Sequence, residues 1–435
     1  MQTELVSNQQ QARIGGAPGQ PQPAVSDAER AALQVTLTNI HDTAQSLFEY
    51  CRRTDWAGYD PYDALNSRLL AHTPLLRSKF FRIAAIQSMK RLPVNLRPLL
   101  LISKEKNPKS HALFLQSLIR LKKQDALDQP GLIRNIIDDI VSMRSANTPH
   151  WGWGYSFPWQ TRTHLVPRGA PNLVCTSFVA NALLDAYEST GEAQCLTMAV
   201  GAADYILDEL YWNDGGRSGF SYPLPGLRTQ VHNANFLGAA LLCRTAAVTG
   251  DTRYLQPALG AVRHSASRQR DDGSWSYGES SKQGWVDNFH TGYNLCALRS
   301  IARYADTKEF NGCIRQGYAY YRTALFREDG APKYYHDRVY PLDIHSVAQS
   351  IITFTEFRDH DAEALTRALD VYRWAREHML DVRGYFYYQM LPWYTNRIPY
   401  IRWSQAWMLM ALAKLLAAKQ EWAPLSKNQT NHEEQ

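Results

Sequence analysis

This chain has no CxxC pair, no acid-rich DxDD or DDxxD cluster and no apolar run of about 18 residues. The first absence removes zinc knuckles. It also leaves six scattered cysteines (Cys51, Cys175, Cys195, Cys243, Cys296 and Cys313) without a disulfide framework. Buried free thiols in a reducing compartment are the expectation. The same scattering denies a lanthionine-type cyclase its Cys/His zinc set, so no metal or cofactor is expected. The second absence speaks against a terpenoid cyclase, and Arg358-Asp359-His360-Asp361 reads instead as a capped turn. The third leaves nothing to span a membrane. RNP, zinc-finger and P-loop patterns are missing, and a net charge of +6 is too mild a bias to imply nucleic acid. Met1 to Val25 is polar, rich in Gln, Gly and Pro, and has neither a basic n-region nor an apolar h-region. It reads as a disordered leader, with 423–435 as a polar tail and the cytoplasm as the expected compartment.

What is present is a soluble-type composition, 45% hydrophobic and 20% charged, able to bury a large core. The 12 Trp and 24 Tyr gather in loops, and the loops repeat. At intervals of roughly 55 to 67 residues a glycine is followed, usually by an aromatic, and then by a tyrosine, the fourth copy having proline in the aromatic slot. The copies are Gly152-Trp153-Gly154-Tyr155, Gly219-Phe220-Ser221-Tyr222, Gly273-Ser274-Trp275-Ser276-Tyr277, Gly330-Ala331-Pro332-Lys333-Tyr334 and Gly384-Tyr385-Phe386-Tyr387-Tyr388. A period of this size marks one repeated supersecondary unit. Between the loops the apolar spacing is helical, and turns such as Thr249-Gly250-Asp251 punctuate helix pairs.

Helices that directly follow the long loops are predicted at 110–123, 174–190, 233–249, 288–305, 344–358 and 402–419. Each is paired with an outer helix, and the capping box Ser26-Asp27-Ala28-Glu29 opens an N-terminal helix that supplies the sixth partner. The expected fold is all-α, an (α/α)6 toroid over 26–422. Residues 60–107 form a basic helical insertion, read either as an outer layer of helices or as a dock for a membrane surface or acidic partner.

The inner helices begin with polar groups at one depth. His232 and Asn233 head one, Asp287, Asn288 and His290 the next, Asp343 and His345 the third, and Arg402 and Trp403 the last. Asp at a helix start can be a simple N-cap. Capping does not account for His, Asn and Arg recurring at the same point, whereas a ring of polar groups beneath aromatic walls is the layout of a ligand site. Sugars fit such walls, because their apolar ring faces stack on Trp and Tyr while their hydroxyls need polar partners. Trp153, Tyr155, Tyr222, Trp275, Tyr277, Tyr334 and Tyr335 are the expected contacts alongside His232, Asn233, Asn288, Arg402 and Trp403. Gln269-Arg270-Asp271-Asp272-Gly273-Ser274-Trp275 also resembles the QW motif of triterpene cyclases, which implies a stapling role for Trp275.

Val286-Asp287-Asn288-Phe289-His290 is similar to the stretch holding the catalytic aspartate of unsaturated glucuronyl hydrolases. Arg402-Trp403-Ser404-Gln405-Ala406-Trp407 resembles that family's last inner helix, with Ser404 and Ala406 where the family has glycines. The resemblance, over roughly 150 to 420, implies a six-hairpin glycosidase fold and an acidic oligo- or polysaccharide substrate.

Two chemistries suit this residue set. Hydrolysis would use Asp287 as acid/base and Asp343 as second carboxyl, with His290 and His345 tuning protonation and Arg402, helped by Lys333 or Arg338, holding a substrate carboxylate. A uronate lyase or C5-epimerase would instead use His290 or His345 as base with Tyr293, Tyr334 or Tyr335 as proton partner. A non-catalytic glycan-binding scaffold is the third reading.

Overall fold

The structure, a computed structural model, describes residues 27–127, 129–146 and 148–418, so the expected leader and tail lie outside the described residues. The described residues fall in two units, 27–38 and Asn39–Ala418, the second of them compact. In the first, the described part is the beginning of helix α1 (Asp27–Arg53). The second holds the remainder of α1 and every other described element. In order, these helices are α2 (Arg68–Ala71), α3 (Lys79–Arg91), α4 (Pro108–Lys123), α5 (Leu132–Ser142), α6 (Leu173–Thr190), α7 (Ala193–Tyr205), α8 (His232–Thr249), α9 (Leu255–Ala266), α10 (Asn288–Tyr304), α11 (Asn311–Ala324), α12 (Ile344–Glu356), α13 (Ala364–Met379) and α14 (Ala406–Ala417).

Within Asn39–Ala418 the inner helices α4, α6, α8, α10, α12 and α14 each pack on the next, and α14 returns to α4. The circle closes where the Ser117 hydroxyl meets the Met410 sulfur at 3.9 Å. The inner helices are apolar on nearly all sides because they are enclosed on all sides; α14, for example, exposes none of the residues from Ala406 to Ala413. Outer helices α5, α7, α9, α11 and α13 each back onto the inner helix before them, burying one stripe such as Ile136, Ile137 and Ile140. The last turns of α1 occupy the sixth outer position. Thr43 Oγ1 lies 2.9 Å from the Tyr372 hydroxyl of α13, and Phe48 meets α4 through Trp56 and Phe114. The fold is the expected (α/α)6 toroid.

The repeated glycine has a physical reason. Gly273, Gly330 and Gly384 all take φ between 82° and 89°, a left-handed conformation that costs glycine least. Each amide bonds back three residues, to Arg270, Arg327 and Asp381, and so closes the same turn. The repeated tyrosine has one as well. The carbonyls of Tyr277, Tyr334 and Tyr388 accept from the first free N–H groups of α8, α10 and α12, at His232, Asn288 and Ile344. Each aromatic loop is thereby pinned across the start of the inner helix one repeat earlier. That pinning gathers the tyrosines at one end of the ring. Short antiparallel pairings add to it, notably Asp343 opposite Gln389 and Gln389 opposite Asn396.

The 60–107 insertion is more than an outer layer. It has a small core of its own, Ala64, Leu65, Ile86, Met89 and Ile102, and it is tied to the aromatic loops. Asn66 donates to the Ser156 carbonyl, Arg82 to Gln160, and the Tyr394 hydroxyl to the Arg91 carbonyl. Among the described residues no helix is long and apolar enough to cross a membrane.

Candidate active site

Two acids anchor the cup. Asp287 is the N-cap of α10, its Oδ1 accepting from the His290 amide at 2.9 Å. Its Oδ2 takes the Trp285 indole N–H at 3.1 Å and faces the His290 Nδ1 at 2.7 Å. The imidazole therefore donates through Nδ1 and presents Nε2 as a lone pair. His290 is one-fifth exposed (21%), between the rings of Tyr277 and Phe289, and its Nε2 has no hydrogen-bond partner among the described residues. Asp343 repeats the plan on α12. It caps the His345 amide at 2.8 Å and receives the Trp403 indole N–H at 3.0 Å and the Gln389 amide at 2.5 Å. Burial raises its pKa to about 6, against those hydrogen bonds and the neighbouring Lys90 cation.

His345 is oriented from both sides. Its Nδ1 donates to the Trp403 carbonyl at 3.2 Å, leaving Nε2 to accept the Tyr293 hydroxyl at 2.5 Å. Burial first, then the nearby Lys109 and Arg402, hold its pKa well below the ordinary histidine range. Burial likewise keeps Tyr293 protonated. The His290 and Tyr293 rings are 5.9 Å apart, so two proton-handling groups share one space.

Around them stand Tyr155, Tyr222, Tyr277 and Tyr334, each with its pKa raised by burial and then by other tyrosines or acids of the set. Tyr277 and Trp285 stack at 4.7 Å, a flat apolar wall suited to a sugar face. Lys109 lies near the base. It is 4% exposed, and its ammonium sits 4.3 Å from the Phe178 ring centre, 5.2 Å from Trp407 and 5.5 Å from Tyr293. Among the described residues no carboxylate reaches it. Burial and the nearby Arg402 lower its pKa to about 7. No three His, Cys, Asp or Glu side chains among the described residues are grouped to hold a metal.

No family model matches the sequence, and a sequence search of curated proteins gives no match. Solved structures do match in fold. Unsaturated glucuronyl hydrolase from Streptococcus agalactiae superposes with a TM-score of 0.56 at 13% identity, covering 87% of this chain and 90% of that one. Cellobiose 2-epimerase from Spirochaeta thermophila gives 0.54 at 16% identity, over 74% and 87%. A family 76 α-mannanase from Bacteroides thetaiotaomicron gives 0.55 at 14% identity, over 72% and 87%. The fold is that of the six-hairpin glycosidases.

On this six-hairpin frame some expected site residues converge and others do not. Asp287, His290, Asp343, His345, Trp403, Tyr155, Tyr222, Tyr277, Tyr334 and Tyr335 are brought close together at the heads of the inner helices. Trp153 and Trp275 do not line it. Trp153 is fully buried with its indole N–H on the Ile140 carbonyl, and Trp275 donates to the Ser265 carbonyl and packs against Gly317. Trp275 staples instead, as its motif implied, and Gln269 ties the same loop to α11 through the Cys313 carbonyl. Asn288 brackets helices through Leu325, Tyr321 and Ser350. His232 is held by Ser265, its pKa pushed down to about 4 by burial, and Asn233 is buried after it.

Arg402 requires a correction. Its guanidinium makes a two-pronged bond to Asp60, Nε to Oδ2 at 2.6 Å and Nη2 to Oδ1 at 2.8 Å, and both side chains are buried. It is therefore already neutralised and not free to receive a substrate carboxylate. Lys333 is half-buried on its loop, and Arg338 pairs with Asp337 on the surface. Losing one partner of a buried pair strands the other charge. Asp60→Asn is expected to destabilise the fold by about 3–5 kcal/mol, read as a lower urea midpoint. Sequence reasoning missed Asp60, Tyr62, Lys90 and Lys109. For Lys109 the signal was present, since Asn107-Pro108 is an N-cap followed by proline at the first helical position. That pair begins α4 at Pro108, which puts Lys109 at the same depth as the other helix heads.

Proposed function

We propose that this protein is a sugar-modifying enzyme that removes a proton from the carbon beside the carboxylate of a uronic-acid residue, as a C5-epimerase or lyase does. One observation carries the choice over hydrolysis. Every oxygen of Asp287 and Asp343 is engaged by protein donors, while His290 Nε2 has no hydrogen-bond partner among the described residues. A general acid must hand its proton to the leaving oxygen, and these buried acids are held by other partners, Asp287 by the His290 ring and Trp285, Asp343 by Gln389, Trp403 and the His345 amide. His290 takes the proton, Asp287 stabilises the imidazolium, and the C–H electron pair passes into the carboxylate as an enolate. To complete the step Tyr293 gives up its hydrogen bond to His345 Nε2 and returns its hydroxyl proton. That proton goes either to the carbon or to the sugar oxygen that leaves as the C–O bond beside that carbon breaks. Solvent then reprotonates the tyrosinate and takes the proton from His290. The shared fold with epimerases such as the cellobiose 2-epimerase adds support. Acidic substrates are favoured because Lys109 is a buried amine with no carboxylate partner among the described residues.

The test is incubation with polyuronate oligosaccharides in deuterated water. Deuterium at the carbon beside the carboxylate, with or without an unsaturated product, is expected. Chain cleavage with no deuterium on carbon and no unsaturation would return the case to hydrolysis.

A further inference from the structure

The insertion carries exposed apolar side chains that the cup does not use. Leu75, Phe80, Phe81, Val94, Leu99 and Leu101 are all exposed, Phe80 and Leu99 by about three-quarters (74% and 75%). They are not spare core, because the core beneath is already filled by Ala64, Leu65, Ile86, Met89 and Ile102. Leu75, Phe80 and Phe81 belong to one corner, where the turn Pro74–Arg77 packs on the start of α3 and the two phenyl rings meet edge to face at 5.6 Å. Charge on this stretch has a single sign. Residues 64–104 contain no Asp or Glu. Arg68, Arg77, Lys79, Arg91 and Lys104 are exposed, and none has a carboxylate partner among the described residues. Exposed apolar groups interleaved with unpaired cations are what an anionic lipid interface accepts, apolar side chains below the headgroups and cations among them.

We infer that residues 68–104 dock this protein on the surface of an anionic phospholipid bilayer. A second copy of the chain is a poorer occupant, since a two-fold contact would set cations against cations. The same insertion supplies Asp60, Tyr62 and Lys90 to the cup, so the docked face and the site belong to one segment. The inference stands apart from the proposed chemistry.

The experiment is co-sedimentation of the full chain with vesicles of phosphatidylcholine alone or mixed with phosphatidylglycerol. Binding is expected only to the anionic vesicles and should weaken as salt is raised. The double variants Phe80→Ser/Phe81→Ser and Arg77→Glu/Lys79→Glu should each reduce it by about tenfold or more. All four positions are exposed, so an unchanged melting curve serves as the folding control. Absence of binding at low salt would overturn the inference, as would binding by either variant equal to that of the natural protein. So would sedimentation of the free protein as a dimer that the phenylalanine variant dissolves.

Discussion

Replacing His290 with glutamine is expected to lower turnover by about 10²- to 10⁴-fold, the range that a positioned proton-transfer group contributes. The substitution keeps a polar side chain opposite Asp287 and leaves the helix cap intact, because the cap uses the backbone amide. Stability and substrate affinity should therefore change little, and the loss should fall on kcat. Asp287→Asn should cost nearly as much by another route. An amide in place of Oδ2 can offer a donor to Nδ1, favouring the tautomer whose Nε2 carries the proton and can no longer accept one. A hydrolase with Asp287 as acid would behave differently, losing turnover with Asp287→Asn and keeping most of it with His290→Gln. Steady-state kinetics on both variants, with deuterium exchange as a second readout, separates the cases.

The ring was legible because its signals are local. Gly273, Gly330 and Gly384 mark identical turns, and the apolar spacing between them gives helix boundaries within a few residues of those observed. The acids at 287 and 343 were legible for the same reason, as N-caps at helix heads. What each acid does was not legible, since that depends on partners far along the chain. Asp343 is met by Gln389 and Trp403, and Arg402 by Asp60, 342 positions away. Trp153 and Trp275 illustrate the opposite failure. An aromatic beside a repeat glycine reads as a loop platform, yet both rings turn inward to hydrogen-bond carbonyls of α5 and α9, at Ile140 and Ser265. Composition cannot report which way a ring turns.

Lys109→Met is expected to make the protein more stable and a poorer binder of acidic sugars. Burial lowers the amine from 10.5 to about 7, so between those values the folded chain holds fewer protons than the unfolded one. Stability of the natural protein should then rise with pH through that window, and below about pH 7 the full penalty of a buried cation applies. Methionine fills similar space without charge, removes the slope and should gain on the order of a few kcal/mol near pH 6. The pH dependence is not Lys109's alone. Arg402, His345, Tyr293, Cys175 and Asp60 face it or lie near it, but Arg402 stays charged and His345 stays neutral across this range. Binding should move the other way. A charge-assisted hydrogen bond to a carboxylate is worth about 1.5–3 kcal/mol, so affinity for acidic oligosaccharides should fall roughly 10- to 100-fold, with neutral sugars unaffected. A carboxylate arriving beside a half-charged amine also draws a proton onto it. Calorimetric titration near neutral pH should show proton uptake in the natural protein and none in Lys109→Met. Equal loss of neutral and acidic sugars would make Lys109 a packing residue. A gain in stability paired with a loss confined to acids marks a side chain kept for recognition at the expense of the fold.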